Sequence, residues 1–385
     1  VAAGNEGNKL YTLGSPGAAA LALTVGASNV PISTLAAKGA IDGVSADLRF
    51  MARGYTDDIT KLKGQSNTVV DVGLGDNYTG KDVKGKIVLM SRGVYTLDSK
   101  IAFAKAQGAA AVLMYNDNSA EGHIPTHLGE GVNFIPTFSL TNADGLALKQ
   151  KLQAGVASFT FTDMSDFKTQ GDTLADFSSR GPSRVTYDIK PEITAPGVSV
   201  LSTVPSFINS PTEPTNYTYA YQRLSGTSMA TPFTTGVTAL LLQAQPDLEP
   251  EDVKAILMNT ADSLSKPYSV FEQGAGRVDP YEAIHSTMEI KVKDKTPMII
   301  NGKDKQLKED TAAISFGKMA FKGKDLKDSR EVTIENKSKE DKTFEVMVTF
   351  QTDVRESKDA EKNGVEVKTD ESIKVPANSQ ITRNV

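Results

Sequence analysis

The run Gly226-Thr227-Ser228-Met229-Ala230-Thr231-Pro232 is followed at once by the apolar stretch Phe233-Thr-Thr-Gly-Val-Thr-Ala-Leu-Leu-Leu-Gln-Ala. No other segment constrains the chain as much. It predicts a turn of small residues that delivers one serine to the start of an apolar helix. Small neighbours let a substrate backbone come close to the hydroxyl. Pro232 is expected in the first helical turn, where its missing N–H has no partner to lose. Unpaired N–H groups and the positive end of the helix dipole then face any charge that develops beside Ser228. An acyl-transfer nucleophile has these requirements. Taken alone, the pattern also describes an ordinary serine or threonine N-cap.

Two further segments bear on the choice. Val1-Ala2-Ala3-Gly4-Asn5-Glu6-Gly7 runs from an apolar, strand-like start into Gly-Asn. The Asn5 amide there suits the second arm of an oxyanion hole, beside the Ser228 N–H; alone it also fits a plain strand-to-turn Gly-Asn. Phe177-Ser-Ser-Arg-Gly-Pro182 and Lys190-Pro-Glu-Ile-Thr-Ala-Pro-Gly-Val-Ser-Val200 read by themselves as a turn and a short strand.

Together these segments resemble the subtilase family of serine endopeptidases. The family's asparagine motif is similar to Ala3-Gly4-Asn5, its nucleophile motif to residues 226–232, and the stretch between to Ala195-Pro196-Gly197. Ser15-Pro16-Gly17 through Leu23-Thr-Val-Gly-Ala27 resembles the strand after the asparagine loop, and Gly274 to Pro280 the closing turn and last helix. The match follows the family order and is closest to large secreted bacterial subtilases with an inserted domain. The resemblance implies hydrolysis of a protein or peptide substrate with Ser228 as nucleophile. Asn5 and the Ser228 amide would hold the oxyanion, and Ala2, Ala3 and Gly4 would line one side of the pocket for the residue before the cut.

One departure is large. The family order is Asp, His, Asn, Ser, yet this chain begins almost at the asparagine. Its histidines, His123, His127 and His285, all lie outside the family's histidine setting and read as structural or solvated. The catalytic Asp and His are therefore expected upstream of Val1, in a segment that acts as an obligatory partner. Without a positioned base a serine hydroxyl is a weak nucleophile, so the 385 residues alone are expected to be inactive and the catalytic part to fold poorly.

Composition adds exclusions. With no cysteine there is no disulfide framework or thiolate metal site. A net charge of −5 argues against a nucleic-acid partner, and no apolar run is long enough to span a bilayer. The resemblance implies a secreted, extracellular bacterial protein, with cell-wall association left open. The chemistry requires no cofactor; structural calcium is frequent in the family, but no loop here can be assigned to it. Asp117, Asn118 and Glu121 near His123 have metal-ligating chemistry, although a hydrated turn explains their spacing better.

The fold class expected is α/β, with a partial subtilisin-like parallel sheet and helices, an inserted α/β domain and a C-terminal all-β sandwich. Residues 1–32 and 166–288 form the split carboxyl-terminal portion of the catalytic domain. Residues 33–165 resemble the protease-associated domain: buried strands at 86–90, 109–115 and 135–140 alternate with helices at 99–107 and 142–152. Helices are also expected from Pro250 to Thr260 and, behind the Asp279-Pro280 cap, up to His285. Residues 289–385 turn to period-two alternation at 331–335, 343–350 and 372–375. They resemble a fibronectin type III-like domain, cut short at its end. The competing function is a non-catalytic binding or surface-adhesion module; Asn5 and Ser228 present together speak against it.

Overall fold

In the computed structural model the backbone divides into two compact units. One comprises Val1–Val30, Gly171–Val198 and Ser225–Val385; the other comprises Pro31–Gln170 and Ser199–Leu224. The structure describes all residues except Glu121, Pro125, Val185, Lys318, Phe321, Lys322, Lys324, 351–359 and Glu361, and describes only the backbone of 298–300 and 304.

In the first unit, strands Val25–Ser28 and Ile193–Pro196 pair in parallel. Single parallel bridges extend the ladder, from Ala2 to Val25 and from Thr194 to Arg277. Val25, Ala27, Ile193 and Ala195 are buried beneath the helix Thr227–Ala244, which contributes Ala230, Val237 and Leu241. The helix Pro250–Asn259 adds Val253, Ile256 and Leu257 at i, i+3 and i+4, which is the stripe that buries one helical face. Its N-terminus carries Pro250 in the first turn, and Asp252 Oδ2 accepts the Glu249 N–H at 2.9 Å. In the short helix Pro280–His285, the Asp279 carboxylate accepts the Glu282 N–H at 2.9 Å.

Beyond His285 the strands become antiparallel. Lys303–Thr311, Met288–Ile300, Glu331–Asn336 and Ser379–Asn384 form one sheet in that order, and Lys342–Glu345 pairs with Ser372–Val375 in another. Val292, Val332 and Ile334 from the first sheet share a core with Ile373 and Val375 from the second. The alternating segment 343–350 is laddered only as far as Glu345, because its partner strand begins at Ser372.

The second unit is built on an eight-stranded sheet. Ser66–Asp71, Ile87–Ser91, Ala111–Tyr115 and Thr137–Leu140 run parallel at its centre, flanked by the antiparallel strands Ser158–Lys168, Ser33–Ile41 and Val44–Arg53. Pairing of Ser33–Ile41 with Val44–Arg53 closes the sheet on itself. The strand Ile87–Ser91 is apolar at successive positions because both its faces are covered. Ile87 and Leu89 enter a core with Phe138, Phe159 and Phe161, whereas Val88 and Met90 enter a second core with Ile101 and Ala104. The helix supplying Ile101 spans Leu97–Ala106, beginning two residues before the expected start. The helix Asn142–Gln153 is capped by Thr141, whose hydroxyl accepts the Asp144 N–H at 3.1 Å. Gly145 is needed in this helix, since a Cβ there would lie 2.1 Å from Tyr115 Cβ.

Candidate active site

Ser228 is the second residue of the helix Thr227–Ala244 and is exposed, while Gly226, Thr227 and Ala230 around it are buried. A chain of backbone contacts fixes the helix start on the end of the parallel ladder. Gly226 N–H donates to Gly197 O at 2.8 Å, and Gly197 N–H donates to Ser28 O at 3.0 Å. Gly197 permits this approach: a Cβ there would lie 2.7 Å from Ala27 Cβ and 2.9 Å from Gly226 O. The Ala195-Pro196-Gly197 stretch thus brings the serine turn onto the sheet.

Pro232 departs from expectation. It is the sixth residue of the helix rather than part of its first turn. Lacking an N–H, it cannot bond the Ser228 carbonyl, which is left without its usual intrahelical donor. The Ser228 N–H lies in the first turn, and none of the described hydrogen bonds uses it or the Ser228 hydroxyl.

Asn5 stands beside this turn and is also exposed. Its Oδ1 accepts the Thr227 N–H and the Thr227 hydroxyl, each at 3.0 Å. A backbone N–H can only donate, so the carboxamide oxygen must face Thr227. The Nδ2 group is thereby turned away, and none of the described hydrogen bonds uses it. The Thr227 hydroxyl in turn accepts the Gly4 N–H at 3.2 Å. Thr227 therefore couples the asparagine loop to the nucleophile turn.

The loop itself is held from behind. Ala3 N–H donates to Val25 O and Ala3 O accepts the Gly14 N–H, each at 3.0 Å. Ala2 is half-buried, and its carbonyl would lie 2.9 Å from a Cβ at Gly17. Gly4 adopts φ +108°, and a Cβ there would meet Ser179 Oγ at 3.0 Å, so glycine is required on both counts. Ser179 N–H donates to Gly4 O, and Ser179 Oγ accepts the Glu6 N–H, both at 3.0 Å. Ser178 Oγ accepts the Ala27 N–H at 3.0 Å. Arg180, buried, pairs with Glu272 at 2.5 Å. The Phe177–Pro182 segment reads in sequence as a turn, and its clamping of Asn5's loop through Ser179 is a contact between segments far apart in the chain.

The structure thus brings Asn5, Ala2, Ala3 and Gly4 together with Ser228 in one unit. None of the described hydrogen bonds joins a histidine to Ser228. His285 Nδ1 contacts Tyr281 O at 2.8 Å, with the two rings 4.2 Å apart. His123 Nδ1 lies 3.2 Å from Ser139 O, and burial followed by the Arg49 charge pushes its pKa down. His127 Nδ1 lies 3.3 Å from Thr34 Oγ1, and burial followed by the Arg223 charge acts in the same direction. Among the described residues no group of three or more His, Cys, Asp or Glu side chains could hold a metal ion, and Glu121 lies outside them. No described helix is long and apolar enough to cross a membrane.

Comparison with known proteins agrees with the motif. The Minor extracellular protease Vpr of Bacillus subtilis (strain 168) is 36% identical over 289 residues, covering 73% of this chain and 34% of that protein. The C5a peptidase of Streptococcus pyogenes is 37% identical over 231 residues, covering 56% of this chain and 18% of that protein. The chain thus spans about a third or less of the length of these relatives. Among solved structures, the psychrophilic subtilisin-like protease Apa1 of Pseudoalteromonas sp. AS-11 aligns at 19% identity and a TM-score of 0.29, over 74% of this chain and 62% of that one. The subtilase family profile matches residues 1–276, and the chain belongs to that family.

Proposed function

We propose that this chain carries the nucleophile and oxyanion side of a secreted serine endopeptidase. Ser228 Oγ attacks the scissile carbonyl of a protein or peptide substrate. The Asn5 Nδ2 hydrogens and the Ser228 N–H donate to the developing oxyanion, where a preorganised donor is most effective. Ala2, Ala3 and Gly4 line the pocket for the residue before the cut. The observation that carries this reading is the double donation of Thr227 to Asn5 Oδ1, which commits the oxygen and leaves Nδ2 for a substrate. No cofactor takes part.

The base comes from elsewhere in this reading. A histidine, oriented by an aspartate, takes the Ser228 proton during attack and returns it to the leaving amine, leaving an acyl-enzyme for water to cleave. A segment bearing that Asp and His is the expected partner. In support, the helix Thr227–Ala244 is apolar along most of its length, yet Phe233 and Leu240 are 41% and 50% exposed. A parallel ladder of two strands is also short for a fold that normally covers such sheets on both faces. In the same proposal, residues 33–165 are a protease-associated inserted domain and 289–385 a fibronectin type III-like domain. The extracellular location follows from similarity to a protein named as an extracellular protease.

Fluorophosphonate labelling tests the assignment. The 385-residue chain alone is expected to label slowly, and rapid Ser228 modification is expected when the Asp- and His-bearing segment is supplied. Rapid labelling of the isolated chain would refute the external base; no labelling of the completed protein would refute the nucleophile.

A further inference from the structure

Residues 4–13, which carry Asn5, belong to no helix or strand. Backbone groups in such a loop must find their hydrogen bonds on other segments. The segment 177–184 supplies them from one end of the loop to the other. Gly7 N–H donates to Phe177 O at 2.9 Å and Tyr11 N–H to Gly181 O at 3.0 Å. Thr12 and Leu13 N–H both donate to Arg180 O, at 3.1 and 3.2 Å. Arg184 adds two donors to Tyr11 O, from Nε at 3.0 Å and Nη2 at 2.9 Å.

Arg180 is the centre of this frame. Its N–H donates to Thr12 Oγ1 at 3.0 Å, and its Nη1 reaches Asn8 O at 3.1 Å, three positions beyond Asn5. The same Nη1 donates to Glu272 Oε1 at 2.5 Å, while Glu272 Oε2 accepts the Ser269 N–H at 2.9 Å. Glu272 belongs to the short helix Val270–Gln273, and Gly181 N–H donates to Phe271 O in that helix at 2.9 Å. The guanidinium is therefore anchored on one side and holds the loop on the other.

Stability alone does not account for this arrangement. Arg180 and Glu272 are 7% and 5% exposed, and Arg180 Nε is buried with no hydrogen-bond partner. Two buried charges and an idle donor carry a desolvation cost that a packed apolar pair avoids. What an apolar pair cannot supply is a donor to the Asn8 carbonyl. A charged donor makes that bond stronger than a neutral one would.

We propose that Arg180, oriented by Glu272, is a positioning residue for the Asn5 oxyanion donor. Asn5 is then fixed by Thr227 at its own side chain and by the Asn8 anchor farther along its loop. The inference rests on the peptidase reading, which supplies the role of Asn5. Misplacing a catalytic group by an ångström can cost about 10²-fold in rate even when the cause lies far from the chemistry.

The test uses the completed protein with Arg180→Met/Glu272→Gln. This double change leaves no charge buried alone and keeps a carbonyl oxygen for the Ser269 N–H, so the fold is expected to persist. Hydrogen exchange, followed by mass spectrometry with Ser228→Ala also present, should be at least about tenfold faster over residues 6–13. On a peptide substrate, with Ser228 intact, kcat should fall about tenfold with KM nearly unchanged. In an Asn5→Ala background the same double change should lower kcat by less than about twofold, since its effect passes through Asn5. Arg180→Lys, whose ammonium can still meet Glu272, should recover part of both readouts. Unchanged exchange, a change confined to KM, or an equal loss of kcat in both backgrounds would overturn the proposal. An Asn5→Ala variant with full activity would instead refute the oxyanion reading, and the positioning role with it.

Discussion

Thr227 donates both its backbone N–H and its hydroxyl to Asn5 Oδ1, each at 3.0 Å. The two residues are 222 positions apart in the chain, and one contact sets the direction in which the Asn5 amide points.

Removing half of that contact should loosen the amide without emptying the site. In the completed protein, Thr227→Val is expected to lower kcat by about five- to tenfold, since the hydroxyl's bond to Asn5 Oδ1, of roughly 1 kcal/mol, is lost together with its bond from the Gly4 N–H. KM should change little, and Thr227→Ser should restore most of kcat. A fall confined to KM would mean that the hydroxyl acts on substrate binding instead.

How much of this was readable beforehand depends on the kind of interaction. Ser228 and Asn5 stand in short runs in which the residue types themselves carry the chemistry. The orienting role of Thr227 and the clamp by Ser178 and Ser179 depend on contacts between segments far apart in sequence. No local pattern encodes those. The central strand Ile87–Ser91 was legible because a strand covered on both faces is continuously apolar. The outcome at 343–350 was not, because alternation specifies a strand but not where its partner begins. Pro232 was placed one turn too early because helix ends are set by backbone contacts such as Gly226 N–H to Gly197 O.

Gly197 allows the helix start to approach the sheet, so Gly197→Ala should disturb both stability and reactivity. Forcing a Cβ to within 2.7 Å of Ala27 Cβ is expected to cost about 1–3 kcal/mol, as overpacking does. Circular dichroism would show a lowered thermal midpoint, and fluorophosphonate labelling of the completed protein should slow. Unchanged values for both would show that the turn accommodates a Cβ.

Glu192 is the anion for two buried ammonium groups. Its carboxylate meets Lys190 and, at 2.9 Å, Lys254, with both Glu192 and Lys190 side chains 2% exposed. It also accepts the Thr24 N–H at 2.7 Å beside the parallel ladder of Val25–Ser28 and Ile193–Pro196. Glu192→Gln keeps an acceptor for Thr24 but removes the carboxylate paired with both lysines, leaving Glu309 as a more distant counter-charge for Lys190. Denaturant unfolding should show a loss of roughly 3–5 kcal/mol, the usual result of breaking a buried pair from one side. A loss below about 1 kcal/mol would mean that the cluster is hydrated.

His123 and His127 make the stability of the second unit depend on pH. Burial, aided by Arg49 and Arg223 respectively, holds both pKa values below the ordinary 6.5. The unfolded chain therefore takes up protons first as pH falls. The stabilisation is complete above the unfolded value and declines as pH drops through 6.5 towards the folded values, below which it levels off. Thermal unfolding of the full chain should show this decline between about pH 7 and 5. The His123→Asn/His127→Asn variant should flatten it; an unchanged slope would assign the effect to other groups.

Kinetics of Asn5→Ala on a peptide substrate, measured in the completed protein beside Ser228→Ala, test the central assignment most directly. Loss of one oxyanion donor is expected to reduce kcat by about 10²–10³-fold with KM nearly unchanged, and Ser228→Ala should remove fluorophosphonate labelling altogether. Hydrolysis at the original rate in the Asn5→Ala variant, or labelling that persists without Ser228, would contradict the account.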